Sequence, residues 1–144
     1  MHNLKAADVM TPDLTVLSPS QKLQRAWEEM RAGRFRHIPV VDRQRRVLGV
    51  VTHRDLLASQ GNLNRRIDEV MQSDIKAVGT ETAAHEAAYL LLRHVIGCVP
   101  VVDAEERLVG IITESDFVRI AYTALGGRVA VDEIEAEERE ADRV

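Results

Sequence analysis

The chain has 144 residues, 45% of them hydrophobic and 29% charged, with a formal net charge of −4 at pH 7. That is enough apolar material for one continuous core in a compact domain, and too much for the body of the chain to be disordered. The charge balance excludes a general attraction to nucleic acid or anionic lipid, and two Phe, two Tyr and one Trp are too few for a base-stacking platform.

In chain order, Met1 to Lys5 lacks a basic segment leading into an apolar one, so no secretory signal is expected. Thr15-Val16-Leu17 reads as a short strand. Ser18-Pro19-Ser20-Gln21 reads as a helix start, with Ser18 as N-cap, Pro19 as the first helical residue and Gln21 returning to close a capping box. Leu23, Ala26, Trp27 and Met30 recur at helical spacing, giving an amphipathic helix that ends near Gly33. Ile38 to Val41 and Val47 to Val51 flank the polar segment Asp42 to Arg46, which predicts an antiparallel hairpin with Arg43, Arg45 and Arg46 on a solvated tip. These apolar runs are strand-sized, far short of the roughly 20 residues of a membrane-spanning helix. A second helix opens at Thr52, and Asn62 to Arg66 is a polar connector too short to let its flanks move as separate domains.

The same order then returns: a strand at Lys76 to Val78, a helix from Ala83 to Arg93, strands at Val99 to Val102 and Leu108 to Ile112, and a helix from Glu114 to Tyr122. Leu90, Leu91 and Leu92 are consecutive, so more of the circumference of this first helix is expected to be buried. After Gly126-Gly127, Asp132 to Val144 is dominated by Glu, Asp and Arg, a solvated helical extension or a disordered tail.

The return is a sequence repeat with an offset of 61 residues: Val9-Met10 recurs as Val70-Met71 and Pro39-Val40-Val41-Asp42 as Pro100-Val101-Val102-Asp103. Asp13, Ala26, Arg46, Gly49, Thr52 and Asp55 also recur at that offset, with no insertion. The expected organisation is a first repeat at 1–61, a connector at 62–66, a second repeat at 67–123 and an acidic tail at 124–144. Each unit is near the size at which a lone core is marginal, so the two are expected to bury their apolar faces against each other as one α/β (α+β) module of paired β-α-β-β-α repeats.

Thr52-x-x-Asp55 and Thr113-x-x-Asp116 fall where a strand hands over to a helix. One reading is a self-capped helix, with Thr as N-cap and Asp three residues on. The other is a ligand grip, with phosphate at the helix N-terminus and the carboxylate accepting from two ribose hydroxyls. His2, His37, His53, His85 and His94 show no His-x3-His spacing and no Cys-x2-Cys occurs, so no metal is expected. Cys98 lies beside a strand and reads as a packed thiol rather than a nucleophile; as a lone cysteine it fits a reducing compartment, hence a cytoplasmic location. No nucleophile elbow, phosphate loop or dinucleotide fingerprint occurs, and no enzymatic activity is expected.

Ile38-Pro39-Val40-Val41-Asp42 followed by Gly49-Val50-Val51-Thr52-His53-Arg54-Asp55 resembles a CBS domain, the family named after cystathionine β-synthase. Val99-Pro100-Val101-Val102-Asp103 with Gly110-Ile111-Ile112-Thr113-Glu114-Ser115-Asp116 resembles it again, and the likeness covers about Ala7 to Ala121. It implies paired repeats packed through their sheets with pseudo-twofold symmetry, a homodimer, and clefts for adenosine-containing ligands such as AMP, ADP, ATP, adenosylmethionine or NAD. One cleft would combine Thr113, Ser115 and Asp116 with Ser18, Arg36, His37 and Ile38. The other would combine Thr52, Arg54 and Asp55 with Gly79, Gly97, Cys98 and Val99. The first is the expected occupied cleft, since Arg36 and His37 offer cationic donors to a phosphate. Glu114 would repel a long polyphosphate, which favours a mono- or diphosphate compound. Members of the family often carry a glycine where this chain has Phe35 and Ile96, a departure that bears on adenine access. Two functions follow: a sensor that binds an adenosyl ligand and acts on a separate, unidentified protein, or a protein-interaction scaffold with vestigial clefts. Neither requires a cofactor, nucleic acid or a membrane.

Overall fold

The computed structural model describes residues 3–12, 14–59, 61–94 and 97–128; the expectations for the acidic segment from Asp132 and for Ile96 lie outside the described residues. The elements in order are α1 (Ala6–Val9), α2 (Leu23–Gly33), β1 (His37–Val41), β2 (Val47–Thr52), α3 (His53–Ala58), a 3-10 turn (Ile67–Glu69), β3 (Val78–Gly79), α4 (Ala84–Arg93), β4 (Cys98–Val102), β5 (Leu108–Thr113) and α5 (Glu114–Ala124). No helix among the described residues is long and apolar enough to cross a membrane.

Both expected hairpins form, β1 against β2 and β4 against β5, each antiparallel and each with a register shift in its first strand, at Val40-Val41 and at Val101-Val102. The repeated aspartate explains the turn. Asp42 Oδ1 accepts from the backbone N–H groups of Gln44 and Arg46, both at 2.9 Å, and Asp103 Oδ1 accepts from Glu105 and Arg107 at the same distances. These side-chain bonds hold the chain reversal and stabilise Arg45 and Glu106, which sit in the left-handed region at φ 64° and 63°. The Asp103 carboxyl is held below its ordinary value, chiefly by the Arg107 backbone N–H.

The first strand of each repeat is shorter than its apolar run suggests. In the first repeat it shrinks to a single parallel bridge between Leu17 and Val40, and in the second it is the pair Val78–Gly79 beside β4. The cause is local: the Ser18 N–H is taken by Gln21 Oε1 at 2.8 Å, and Pro19 has no N–H to give. The chain therefore turns away from β1 after one residue.

The start of α2 also differs from the expectation of a Ser18 cap. The helix begins at Leu23 with Lys22 as N-cap, and the Lys22 side chain caps nothing. The Leu23 and Gln24 N–H groups instead donate to the carbonyls of Arg65 and Leu63, both at 2.9 Å. Acceptors from the connector thus satisfy donors that a side-chain cap would otherwise serve. At the start of α4 the Ala84 N–H donates likewise to the Leu4 carbonyl at 2.8 Å.

These bonds belong to an exchange of lead-ins. Residues 4–10 of the first repeat pack on the second: Ala6 and Val9 join Val78, Ala87, Leu91, Val99 and Ile112 in one core. Ile67 of the second repeat joins Leu17, Leu23, Ile38, Val51 and Leu56 in the other. Each fully buried aliphatic side chain of this kind contributes about 1.5–3 kcal/mol, so neither core is complete without the other repeat. The expectation that α4 buries more of its circumference than α2 is not met. Each buries one stripe of three residues, Ala84, Ala87 and Leu91 against Leu23, Ala26 and Met30. Leu92 is 85% exposed, because consecutive residues on a helix point about 100° apart and only one stripe meets the sheet.

A pseudo-twofold axis relates the halves, and the backbone pairs along it. Arg46 bridges Arg107, its own counterpart at the offset of 61. Arg45 is tied to Leu108 in both directions, the Leu108 N–H to the Arg45 carbonyl at 2.8 Å and the Arg45 Nε to the Leu108 carbonyl at 3.3 Å. The first hairpin tip, expected as a solvated turn, is therefore also a contact between repeats. Farther along, Thr11 pairs with Ile111 and Gln72 with Val50, and Val50, Cys98 and Ile111 form a small apolar cluster flanked by Leu14 and Ile75.

Candidate functional site

Thr52 and Thr113 end their hairpins and cap the helices that follow, as their spacing predicts. The Thr52 N–H donates to Asp55 Oδ2 at 2.9 Å, and the Asp55 N–H donates back to Thr52 Oγ1 at 3.1 Å. Thr113 and Asp116 form the same reciprocal box, with the Thr113 N–H 2.8 Å from Asp116 Oδ2. Both carboxylates are 8% exposed.

The other oxygen of each carboxylate is held from across the axis. Thr11 Oγ1 donates to Asp116 Oδ1 at 3.1 Å, and Gln72 Nε2 donates to Asp55 Oδ1 at 2.9 Å. Thr11 and Gln72 are counterparts at the offset of 61, so the two clasps are one device used twice. Arg119 Nη1 adds a longer contact to Asp116 Oδ1 at 3.4 Å. Burial pushes the Asp116 carboxyl above its ordinary value, against the opposing pull of the Thr113 backbone, the Thr11 hydroxyl and Arg119. Self-capping and ligand grip are thus compatible: each oxygen retains acceptor capacity, and a ligand hydroxyl reaching Oδ1 would compete with the partner repeat's side chain.

The remaining sequence-derived candidates divide into three groups. Arg54 and Ser115 lie exposed on the first turns of α3 and α5, beside the carboxylates. Ser18 and Gly79 occupy equivalent turns in which the N–H is already bonded, to Gln21 Oε1 and to Thr82 Oγ1 at 3.0 Å. Ile38 and Val99 point into the two cores and are 0% and 2% exposed, so a ligand could meet only their backbone. Cys98 is buried in the cluster on the axis, and burial pushes its thiol up to about 12, which makes it a packing residue with negligible thiolate.

His37 and Gly97, assigned by the resemblance to opposite clefts, meet each other. A β-carbon on Gly97, which has φ +82°, would lie 3.2 Å from His37 Nε2, so only glycine suits both the backbone and the close approach. Arg36 is exposed; its carbonyl accepts from the His53 N–H at 2.9 Å, joining the start of β1 to the start of α3. Sequence reading missed Thr11 and Gln72. Their signal was present, since each follows a repeated Val-Met, but the residue types differ and identity matching passes over them.

The Val-Met itself has a structural meaning. Met10 lies over Gly110 and Met71 over Gly49, each methionine reaching into the other repeat's second hairpin strand. A β-carbon on Gly110 would lie 2.3 Å from Met10 Sδ, and one on Gly49 would lie 2.8 Å from both Met71 Sδ and the Gln72 carbonyl oxygen. The two recurring residue types form two locks that set the spacing between the repeats.

Comparison with known proteins adds an independent line. The CBS domain family model matches residues 6–61 and 67–122. Inosine-5'-monophosphate dehydrogenase of Methanocaldococcus jannaschii is 30% identical over 115 residues, 80% of this chain but 23% of that enzyme. The chain thus spans about a quarter of that relative. A protein assigned to acetoin utilization, AcuB, from Vibrio cholerae superposes with a TM-score of 0.76 at 40% identity, over 85% of this chain and 93% of that one. CBSX2, a CBS-pair protein of Arabidopsis thaliana, superposes in its complex with AMP with a TM-score of 0.75 at 30% identity, over 83% and 97% of the two chains.

Proposed function

The chain belongs to the CBS domain family, and on that premise we propose that it is a regulatory module, not an enzyme, that binds an adenosine-containing ligand between its repeats and passes the change to a separate protein. The observation that carries this reading is the pair of crossed clasps, Thr11 on Asp116 and Gln72 on Asp55. A ribose hydroxyl that takes Oδ1 displaces or shares the bond that ties one repeat to the other, so occupancy and inter-repeat geometry are energetically linked. The crystallised AMP complex of CBSX2, which is 30% identical over nearly its whole length, supports the ligand class.

The Asp116 cleft is the one we assign to ligand, and Glu114 at its helix start favours a mono- or diphosphate compound over a longer polyphosphate. The module is assigned to the cytoplasm as a homodimer, with the partner copy on an exposed face of α5 and the regulated protein elsewhere. Val118, at 65% exposed, and Leu125, at 87%, share a helical stripe with Tyr122 on and just beyond α5. With Leu92 on the contacting helix α4 they leave apolar area suited to a second copy.

A thermal-shift panel with AMP, ADP, ATP, adenosylmethionine and NAD tests the reading. A ligand at 100 times its dissociation constant stabilises the fold by about 2.7 kcal/mol. A saturable shift with one compound, lost in Asp116→Asn, is the expected result; no shift with any of the five, or a shift undiminished in both Asp116→Asn and Asp55→Asn, would refute it.

A further inference from the structure

A hollow of about 460 Å³ opens on the first repeat, where the end of α2, the segment leading into β1 and the start of α3 converge, and neither Asp55 nor Asp116 lines it. Its walls carry Arg31, Arg34, Arg36 and His53, with Trp27 stacked on His53 at a centroid separation of 6.2 Å and an interplanar angle of 16°. Met30 and Phe35 complete an apolar floor, and no lining residue is acidic. Among the described residues no ion pair engages Arg31, Arg34 or Arg36, whereas Arg25, one turn away, is paired with Glu29 at 2.9 Å.

The repeat supplies an internal control. At the offset of 61, Trp27, Arg31, Arg36 and His53 correspond to Ala88, Leu92, Gly97 and Glu114. The second repeat keeps the same fold without one of these cations or rings, so the scaffold does not need them. Three guanidinium groups without carboxylate partners repel one another, and gathering them around a concavity costs stability unless an anion offsets it.

We propose that this hollow is a second, one-sided ligand site that takes a small phosphate ester bearing an aromatic group. The guanidinium forks of Arg31, Arg34 and Arg36 bind the phosphate oxygens, and the flat Trp27–His53 pair with Phe35 receives the ring. The volume lies in the range of small-molecule sites. The hollow shares Arg36 with the residues named for the Asp116 cleft, whereas Trp27, Arg31, Arg34, Phe35 and His53 belong to neither cleft.

Trp27 is the single tryptophan of the chain and lines this hollow, so its fluorescence reports on the site. The full chain is titrated with phenyl phosphate, inorganic phosphate and hexaglutamate; the phosphate probes carry no ribose and make no demand on Asp116 or Asp55. Phenyl phosphate is expected to change Trp27 emission saturably and to bind roughly 2- to 12-fold more tightly than inorganic phosphate, the range for one aromatic contact. Arg31→Gln/Arg34→Gln should weaken it by about tenfold or more, as loss of charge-assisted bonds requires, while Arg43→Gln/Arg46→Gln, which removes two charges from the hairpin tip, should not. Arg31 is exposed, and Arg31→Gln alone, which disturbs no packing, should show the same loss in smaller measure. No saturable change, equal weakening in the two double variants, or a response to hexaglutamate matching that to phenyl phosphate would overturn the proposal.

Discussion

Gly110→Ala isolates one of the two methionine locks. The added methyl would lie 2.3 Å from Met10 Sδ, 2.8 Å from its Cγ and 3.0 Å from its Cβ, against about 3.5–4.0 Å for an ordinary carbon contact. Met10 must therefore withdraw by about 1 Å or more, and overpacking of this kind costs about 1–3 kcal/mol. Truncating the intruder, Met10→Ala, removes a half-buried side chain at up to about 2 kcal/mol but also removes every atom in the clash beyond Cβ. The double variant should thus be more stable than the sum of the singles, with a coupling of about 1 kcal/mol. Urea unfolding of the four proteins measures it. The second lock predicts a different outcome, because a methyl on Gly49 also meets the Gln72 carbonyl oxygen at 2.8 Å, and that oxygen accepts from the Val50 N–H at 2.9 Å. Met71→Ala cannot clear a backbone atom, so Gly49→Ala should keep most of its penalty in the double variant. Strict additivity at Gly110, or full rescue at Gly49, would refute this reading of the Val-Met repeats.

Thr11→Val removes the hydroxyl that donates to Asp116 Oδ1 while keeping its shape; the lost bond to a charged group should cost about 1.5–3 kcal/mol in the same unfolding assay, and a change within error would show the clasp to be idle. Because burial raises the Asp116 carboxyl above its ordinary value of 3.8, the folded state holds that proton more tightly than the unfolded chain. Its contribution is fully present below 3.8 and is lost as pH rises through the raised value. Relative to Asp116→Asn, the parent protein should therefore lose stability on going from pH 3.5 to pH 6, and a difference that stays flat across that window would contradict the sign. Val118→Glu places a charge on the exposed α5 stripe and should convert a dimer to monomer by light scattering without lowering the unfolding midpoint of the monomer; an unchanged molar mass would move the interface elsewhere.

The paired repeat, both hairpins and both helix starts after Thr52 and Thr113 were legible in the sequence because their causes are local. β-branched runs flank Asp42 and Asp103, whose carboxylates bond two and four residues ahead. Each Thr-x-x-Asp box closes within three residues. The choice between cap and grip was not legible, because both readings need the same spacing; what separates them is the second oxygen of each aspartate, and its partners Thr11 and Gln72 come from the opposite repeat.

Other features escaped for the same reason. The start of α2 depends on carbonyls of Leu63 and Arg65, so the favourable local cap at Ser18 loses to acceptors supplied by the connector. Periodicity placed Trp27 on the core stripe, and it does pack half-buried against the first core, but its stacking on His53 was not legible because α3 is brought to it only by folding. Leu92 belongs to an apolar run yet faces outward, because a helix presents one side to one neighbour whatever its composition. The sequence by itself determined the two hairpins, the helices that flank them and that the unit occurs twice, since bonds within a few residues settle those questions, but not α1 or the extent of the first strands. Only the tertiary structure decided which repeat completes which core, what each buried carboxylate touches and where the unpaired arginines gather, since those outcomes depend on donors and acceptors that folding alone brings together.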